Sequence, residues 1–480
     1  MPKFVLLWTD VSVWLLLLAF AVYAWWVRRS PGLSANWRKV FTDAAALSSA
    51  LVLLFCLGIT ALDSFHFRSA LPMAAGTKNS QVAYDTNTQS LMDSLFASVL
   101  KSRETTYSRP LAYLGFTKES VVIDGKVVRT APRLKFGGAH LGDPAAEWAG
   151  DVTRRVLAGA LAALAMTLAL SALVLSRLAR VWSVNFGEAL RRVRARELAI
   201  PWHVAFWTVV AMGLLIGPTL ALMNHYHVLG TDQTGNDVMY QALKSIRTAF
   251  VIGTLTTVAT LPLAVGLGIM AGYIRSRADA IIQYVYTVLS SVPNILLIAA
   301  CVLMVQVYLD KHPELFQTGA ERGDLKLLML CVILGLTGWA GLCRLLRGET
   351  MKLRELEYVQ AASAFGVGHG RIMRKHIFPN VAHLMLISTV LDFSGLILYE
   401  AVLSYVGVGV DPSMNSFGSM INMARSEMSR DPVVWWSFAA AFGFMVSLVL
   451  AANLFADGVR DAFDPRARVV RAKLVLKPVR

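Results

Sequence analysis

Charged side chains are scarce in this sequence. Asp, Glu, Lys and Arg make up 16% of 480 residues, against about 25% in soluble domains. Length alone would suggest about three soluble domains. With 56% hydrophobic residues, the better expectation is one bundle of spanning helices carrying one soluble insert. Cysteine is nearly absent too. Cys56, Cys301, Cys331 and Cys343 sit in apolar stretches and form no CxxC or zinc spacing. That excludes a disulfide scaffold in the polar segment and leaves the four as small packing residues. No GxxxxGK[ST] run occurs, so the chain lacks a phosphate-cradling P-loop. No cluster of His, Asp, Glu or Ser stands at span depth, which argues against a membrane enzyme.

What is abundant is long apolar runs. A span needs about 20 such residues. Nine candidates occur, at 5–27, 44–62, 156–175, 204–223, 248–273, 281–308, 326–346, 382–406 and 434–456. The first is too long for a signal peptide, has no small-residue cleavage site and ends in Trp25-Trp26-Val27-Arg28-Arg29, an interfacial anchor. The net charge of +15 comes from short basic segments between the runs. Arg28, Arg29, Arg38 and Lys39 form one. Arg177, Arg180, Arg191, Arg192, Arg194 and Arg196 form the second. Arg344, Arg347, Lys352, Arg354, Arg371, Arg374 and Lys375 form the third. Arg460, Arg466, Arg468, Arg471, Lys473, Lys477 and Arg480 end the chain. Nine spans place all four segments on one side, and positive charge marks that side as cytoplasmic. The excess is thus orientation in a bilayer rather than nucleic-acid binding. The N-terminus is expected outside and the C-terminus inside.

The organisation expected is two spans in 1–62, an extracytoplasmic insert over 63–152, and a third span with a basic connector over 153–203. A six-span core over 204–468 and a basic tail over 469–480 complete the chain. In the insert, Leu91, Met92, Leu95, Phe96 and Val99 recur at helical spacing. Residues 121–128 read as a hairpin turning at Asp124-Gly125. The insert is therefore a small α+β unit rather than a disordered tether. The connector 177–200 reads either as an interfacial helix with Trp182 and Phe186 dipping into lipid, or as a plain cytoplasmic linker.

One cytoplasmic segment, 347–380, has a mixed character. Good helix formers run from Leu353 to Phe365, with Leu356, Val359, Ala362 and Ala364 as small or apolar positions. Gly366, Gly368 and Gly370 interrupt, charges resume at Arg371, and Pro379-Asn380 closes. Helix, glycine break, helix, proline fits a short docking helix whose small residues admit a partner closely. An ordinary loop is the bland alternative.

The residues themselves carry a resemblance. Glu357-Tyr358-Val359-Gln360-Ala361-Ala362-Ser363-Ala364-Phe365-Gly366, followed by Arg371-Ile372 and His376-Ile377-Phe378-Pro379-Asn380, resembles the EAA loop of ABC import permeases. More narrowly it is similar to the C-type permease of the dipeptide/oligopeptide/nickel family. Gln360 stands where that family has a glutamate, while Glu357 is kept. Leu229-Gly230-Thr231-Asp232-Gln233-Thr234-Gly235-Asn236-Asp237 resembles the family's LGTD-x-x-GRD, with Asn236 for arginine. Glu400 to Gly409 resembles E-A-x-L-S-x-x-G-x-G, and Asp457 to Arg466 resembles D-G-x-R-D-x-x-D-P-R. The four matches cover roughly 204–468 and leave the first three spans and the insert unaccounted for.

The resemblance implies an all-α integral inner-membrane protein, multi-pass, with a six-helix core; with the three extra N-terminal spans read from the apolar runs, about nine transmembrane helices are expected. It implies a transport subunit, not an enzyme, working by alternating access. Partners implied are ABC ATPases, a second permease, an extracytoplasmic substrate-binding protein and lipid. ATP and Mg2+ would sit on the ATPases, with no cofactor or metal on this chain. Glu357, Tyr358, Gln360, Ala361, Ala362, Gly366, Arg371, His376, Pro379 and Asn380 would couple to the ATPase. Gly230, Thr231, Asp232, Gly235 and Asp237 would form the extracytoplasmic motif.

Charges inside spans are functional candidates by default. Asp392 and Glu400 lie within about a quarter turn of each other on one helix. They are candidates for the path or an inter-subunit contact, or else buried charges bonded to neighbours. Asp10 is expected near the interface. His225-x-His227 offers two metal ligands where a site needs three or four. The cargo expected is peptide, with nickel, glutathione or another solute as alternatives. An autonomous ion-coupled transporter would need repeats and paired charges that are not evident, and a sensor with a degenerate core conflicts with the intact coupling segment.

Overall fold

The computed structural model describes residues 3–70, 84–123, 126–316 and 318–463. Strand β1 (Lys3–Val5) leads into α1 (Trp8–Arg29), α2 (Pro31–Val40) and α3 (Ala44–Asp63). Strands β2 (His66–Arg68) and β3 (Gln89–Ser90), helices α4 (Leu91–Leu95) and α5 (Ala97–Lys101), and hairpin strands β4 (Glu119–Ile123) and β5 (Lys126–Thr130) follow. Then come α6 (Pro144–Val181), α7 (Phe186–Arg194), α8 (Trp202–Met223), α9 (Val238–Ile274), α10 (Arg277–Ser291) and α11 (Asn294–Lys311). The chain continues through α12 (Gly319–Gly338), α13 (Ala340–Arg354), α14 (Glu357–Ala364) and α15 (His369–Ile372). It ends in α16 (Phe378–Tyr405), α17 (Phe417–Glu427) and α18 (Trp436–Phe463).

Among the described residues, eight helical segments are long and apolar enough to cross a membrane, and α12 with α13, bent by 40°, makes a ninth. The protein is an all-α membrane protein with small sheets. Asp43 and Asp143 start α3 and α6 by accepting backbone N–H groups, and Pro144 fills the first turn of α6. Strand β1 pairs antiparallel with β2, and β2 with β3. The start of the chain and the segment after α3 therefore meet on one side.

Helix α9 is central. Ile252 and Leu255 pack on Leu327, Leu330 and Leu334 of α12, with Val13 of α1 alongside. Helix α3 lies against α18, where a Cβ on Gly458 would strike Ala46. Helices α6 and α8 touch backbone to backbone: a Cβ on Gly159 would come within 2.6 Å of the Gly217 carbonyl. The three additional spans thus clasp the core rather than trail from it.

Several expectations change. The run 281–308 is not one helix: it breaks at Val292-Pro293 between α10 and α11, because proline and the residue before it disfavour helix. The run 326–346 bends at Trp339. The apolar face over 90–102 divides at Phe96, with Met92 and Val99 buried but Leu91 and Leu95 exposed. Strands β4 and β5 pair as the hairpin, Val121 opposite Val128; the Asp124-Gly125 turn lies outside the described residues. So do Asp464-Pro465-Arg466 and the basic tail. Trp182 does not dip outward: it packs with Leu175, Ala189 and Val193 where α7 folds back on α6, while Phe186 stays exposed. The four cysteines are free, three of them buried.

Candidate functional site: the α13–α16 segment, the loop before α9 and a buried ion cluster

Helix α14 is short and two-faced. Val359 and Ala362, three apart, face inward onto Tyr273, Ile372, Ile377 and Val381. Glu357, Tyr358, Gln360, Ala361, Ser363 and Ala364 face out. Of the two alanines, only Ala361 is therefore open to a partner. Glu357 sits in the first turn, where its charge suits the helix dipole, and has no partner among the described residues. Gln360 Nε2 donates to the Glu355 carbonyl at 3.3 Å, so the altered position closes the end of α13.

Gly366 ends α14 with φ +75°. Val367 N donates to Ala362 O and Gly366 N to Ser363 O, each at 3.0 Å. This is the paired hydrogen bonding of a left-handed helix stop. A Cβ there would meet nothing within 4 Å, so the need for glycine is conformational, not steric. Just before it, Phe365 is 87% exposed. Sequence reasoning missed this residue, since an apolar side chain carries no sign of whether it will be covered.

Beyond the break, Pro379 does not close the segment. A helix runs on from His369 to Tyr405. Met373–Ile377 forms a π turn immediately before, widening the backbone where the proline ring would otherwise press on the carbonyl four residues back. Tyr358, His376 and Asn380 are brought together: Asn380 Nδ2 donates to Tyr358 Oη at 3.1 Å and to His376 O at 2.6 Å. Arg371 is exposed on α15. A cleft of about 460 Å³ opens beside α14, lined by Tyr273, Arg354, Gln360, Ser363 and His369 among others.

At the other end of α9, the Gly230–Asp237 segment is a platform for the insert. Thr231 is buried: its Oγ1 accepts from Ser108 N at 2.7 Å and donates to Thr106 O at 2.9 Å. Trp436 Nε1 donates to Thr231 O at 3.0 Å. Asp232 accepts from Asn236 N and Gln241 Nε2. Gly235, at φ +78°, leaves no room for a side chain, because a Cβ would land on the Glu104 carbonyl. Asp237 caps α9 through Tyr240 N and also accepts from His227 Nδ1 at 2.8 Å. Glu104 Oε1 stands 3.6 Å from His227 Nε2, an ion-pair distance too long for a hydrogen bond. Burial alone would push the imidazole down; Asp237 and Glu104 instead raise it to about 9. Glu104, which burial would raise, is held down at about 2 by His227 and three backbone N–H groups. His225 and His227 are split: His225 lies against His140, ring centroids 4.8 Å apart and tilted by 59°.

A third cluster joins the N-terminal helices to the core. Asp10, in the first turn of α1, is buried among protein groups. Arg247 Nη2 donates to Asp10 Oδ1 at 2.6 Å and to Thr9 Oγ1 at 2.9 Å. Asp324 accepts from Thr9 N at 2.9 Å and lies 3.8 Å from Arg247. His66 Nδ1 is 2.7 Å from Asp10 Oδ2. Nearby, Lys244 pairs with Asp93 at 2.7 Å and Asp63 at 3.5 Å. Sequence reasoning missed Arg247 and Asp324, although each is a charge at the edge of an apolar run. On α16, Glu400 is buried and accepts from Ser404 Oγ at 2.6 Å; Asp392 is exposed and unpartnered among the described residues.

Residues 264–469 match the model of the binding-protein-dependent transport system inner membrane component family. An oligopeptide transport system permease protein, OppC, of Mycobacterium tuberculosis is 31% identical over 245 residues, 51% of this chain and 78% of that one. The chain belongs to this permease family. The OppC proteins of Haemophilus influenzae and Bacillus subtilis are each 29% identical, over 56% and 58% of this chain and 79% and 90% of their own lengths. The permease is a multi-pass inner-membrane protein and a transport subunit. The family match begins inside α9, so α1, α3, α6 and the insert lie outside it.

Proposed function

We propose that this permease carries di- and oligopeptides inward across a bacterial inner membrane as one half of a two-permease path. Separate ATPase subunits drive it by seating on the outer face of α14. The cargo is argued from the names of its relatives, which are oligopeptide and dipeptide permeases. The docking is argued from α14: a surface helix with Glu357 unpartnered among the described residues, small Ala361 and Ala364, and a bare Phe365. Its inner face is locked to α16, so a push on α14 reaches a helix that crosses the membrane. Glu357 supplies the docking charge, since Gln360 is neutral and turned to Glu355. ATP and Mg2+ belong to the ATPases, because this chain lacks a P-loop. The N-terminus, the insert and the platform before α9 lie outside, and an extracytoplasmic binding protein delivers the cargo there. The C-terminus and α14 lie in the cytoplasm, where the basic segments cluster.

The test is co-purification with the ATPases and ATP-driven peptide uptake in proteoliposomes. Gly366→Asp, or bulky charged residues at the exposed Ala361 and Ala364, should abolish both while membrane insertion persists. Wild-type co-purification together with wild-type uptake in those variants would overturn the docking.

A further inference from the structure

We propose that Asp392 reads the charge of the cargo, accepting the ammonium group of a passing peptide; this deepens the permease reading above and rests on it. Ser388, Asp392, Gly395 and Tyr399 follow one another on α16 at steps of four, three and four, which keeps them on one helix face. Asp392 is exposed, with no hydrogen bond or ion pair among the described residues. A Cβ on Gly395 would meet nothing within 4 Å, so open space continues beside it. Tyr399 Oη accepts from Asn294 Nδ2 at 3.3 Å. Asn294 opens α11 directly after the Val292-Pro293 break, and Ser291 to Asn294 are exposed.

Two features that lipid does not tolerate therefore share one helix face, about 10 Å apart along α16: a carboxylate unpaired among the described residues and, reached through Tyr399, an interrupted backbone. The serine, glycine, tyrosine and asparagine around them suit a wetted surface. A wetted surface between helices of a transport subunit is its path, and the one charge on the stripe is negative. The group it selects is cationic: the amino terminus of a peptide or a lysine side chain. Asp392 lies 14 residues from Phe378, about 21 Å along the helix. The residue is carried by the same rod that leaves the coupling segment.

The experiment uses the complete transporter in proteoliposomes: this permease, its partner permease, the ATPases and saturating binding protein. Two probe pairs are compared, a lysine-containing tripeptide with its acetyl-lysine form, and a free tripeptide with its N-acetylated form. Preferences of the binding protein cancel, because each ratio is compared between wild type and variant. Asp392→Asn should lower uptake of the ammonium-bearing member of one pair about tenfold, the scale of one charge-assisted hydrogen bond, and leave the neutral member unchanged. Asp392→Glu should retain most of the preference. The pair affected tells amino terminus from side chain. Unchanged ratios, or an equal fall for both members, would overturn the proposal. So would loss of the second permease on purification of Asp392→Asn, which would make the residue an inter-subunit contact. Failure of the wild type to move any probe would instead sink the peptide reading itself.

Discussion

Replacing Arg247 with methionine should destabilise the permease more than replacing Asp10 with asparagine. The ordering follows from counting charges at the junction of α1, α9 and α12. Arg247 faces Asp10 at 2.6 Å and Asp324 at 3.8 Å. Removing the guanidinium leaves two buried carboxylates, Asp10 with His66 and Asp324 with the neutral donors of Thr9. Breaking a buried pair this way costs about 3–5 kcal/mol. Asp10→Asn leaves Arg247 paired with Asp324 and keeps a carbonyl oxygen for it, so the loss is nearer the about 1.5–3 kcal/mol of one charged hydrogen bond. The double change Asp10→Leu with Arg247→Met removes two of the three charges, leaves Asp324 alone, and should recover only part of the loss, since neutral replacement of a buried pair is often tolerated. The assay is the thermal midpoint of the purified permease in detergent, with a cysteine pair between α1 and α9 reporting detachment. Arg247→Met should have the lowest midpoint and Asp10→Asn an intermediate one, with the double variant above Arg247→Met. A midpoint lower for Asp10→Asn than for Arg247→Met, or additive losses in the double variant, would refute the charge count.

Gly235→Ala should loosen the insert, because it adds about 1–2 kcal/mol of left-handed strain and a clash with the Glu104 carbonyl; unchanged trypsin cleavage of 84–143 would contradict this. The contact between insert and platform should also follow pH. His227 titrates near 9 folded against 6.5 free, so its contribution is complete below about 6.5 and lost as pH rises through 9. Glu104, near 2 folded against 4.5 free, contributes fully above about 4.5 and loses it as pH falls through 2. Amide protection around residues 104–108, the exchange rate divided into the intrinsic rate at the same pH, should be highest between about pH 4.5 and 6.5 and fall as pH rises through 9, and His227→Gln should remove the alkaline arm. Phe365→Ala should weaken ATPase binding by about 2 kcal/mol, the scale of an interface hot spot, read as about a thirtyfold rise in Kd; an unchanged Kd would remove Phe365 from the contact. Protease added outside cells should cut within 84–143 and spare 349–379; the reverse pattern would invert the proposed orientation.

The apolar runs were legible because a bilayer imposes length and hydropathy on any helix that crosses it. The break at Val292-Pro293 was hidden by the same signal: a run of 28 mostly apolar residues reads as one span when two helices share it. The helix, glycine break and second helix of the 353–377 segment were legible in composition, its proposed docking role only through the resemblance, and Pro379 was misread as its end. A proline stops a helix only where the backbone cannot widen, and the π turn at Met373–Ile377 allows it to. The ion cluster escaped because its members, at positions 10, 247 and 324, are each unremarkable alone. Their pairing is a property of how α1, α9 and α12 pack, and spacing carries no trace of it.

The Gly230–Asp237 segment changes how the insert can be studied. Its residues are spent on contacts inside the chain: Thr231 on the 106–108 backbone, Gly235 on Glu104, Asp237 on His227. Behind them, Trp436 is covered by Phe116 and Tyr107, and Tyr226 by Leu141 and Trp148. Deleting the insert would therefore bare two buried aromatic rings and leave His227 without Glu104, at the very loop that caps α9. A deletion that ends uptake would report this exposure as readily as a lost binding-protein contact. Charge reversal at Lys118, exposed on the insert, by Lys118→Glu or Lys118→Asp, leaves that packing intact. If the insert receives the binding protein, those variants should weaken its binding while the thermal midpoint stays at the wild-type value. A midpoint that falls with binding would return the insert to a purely structural role.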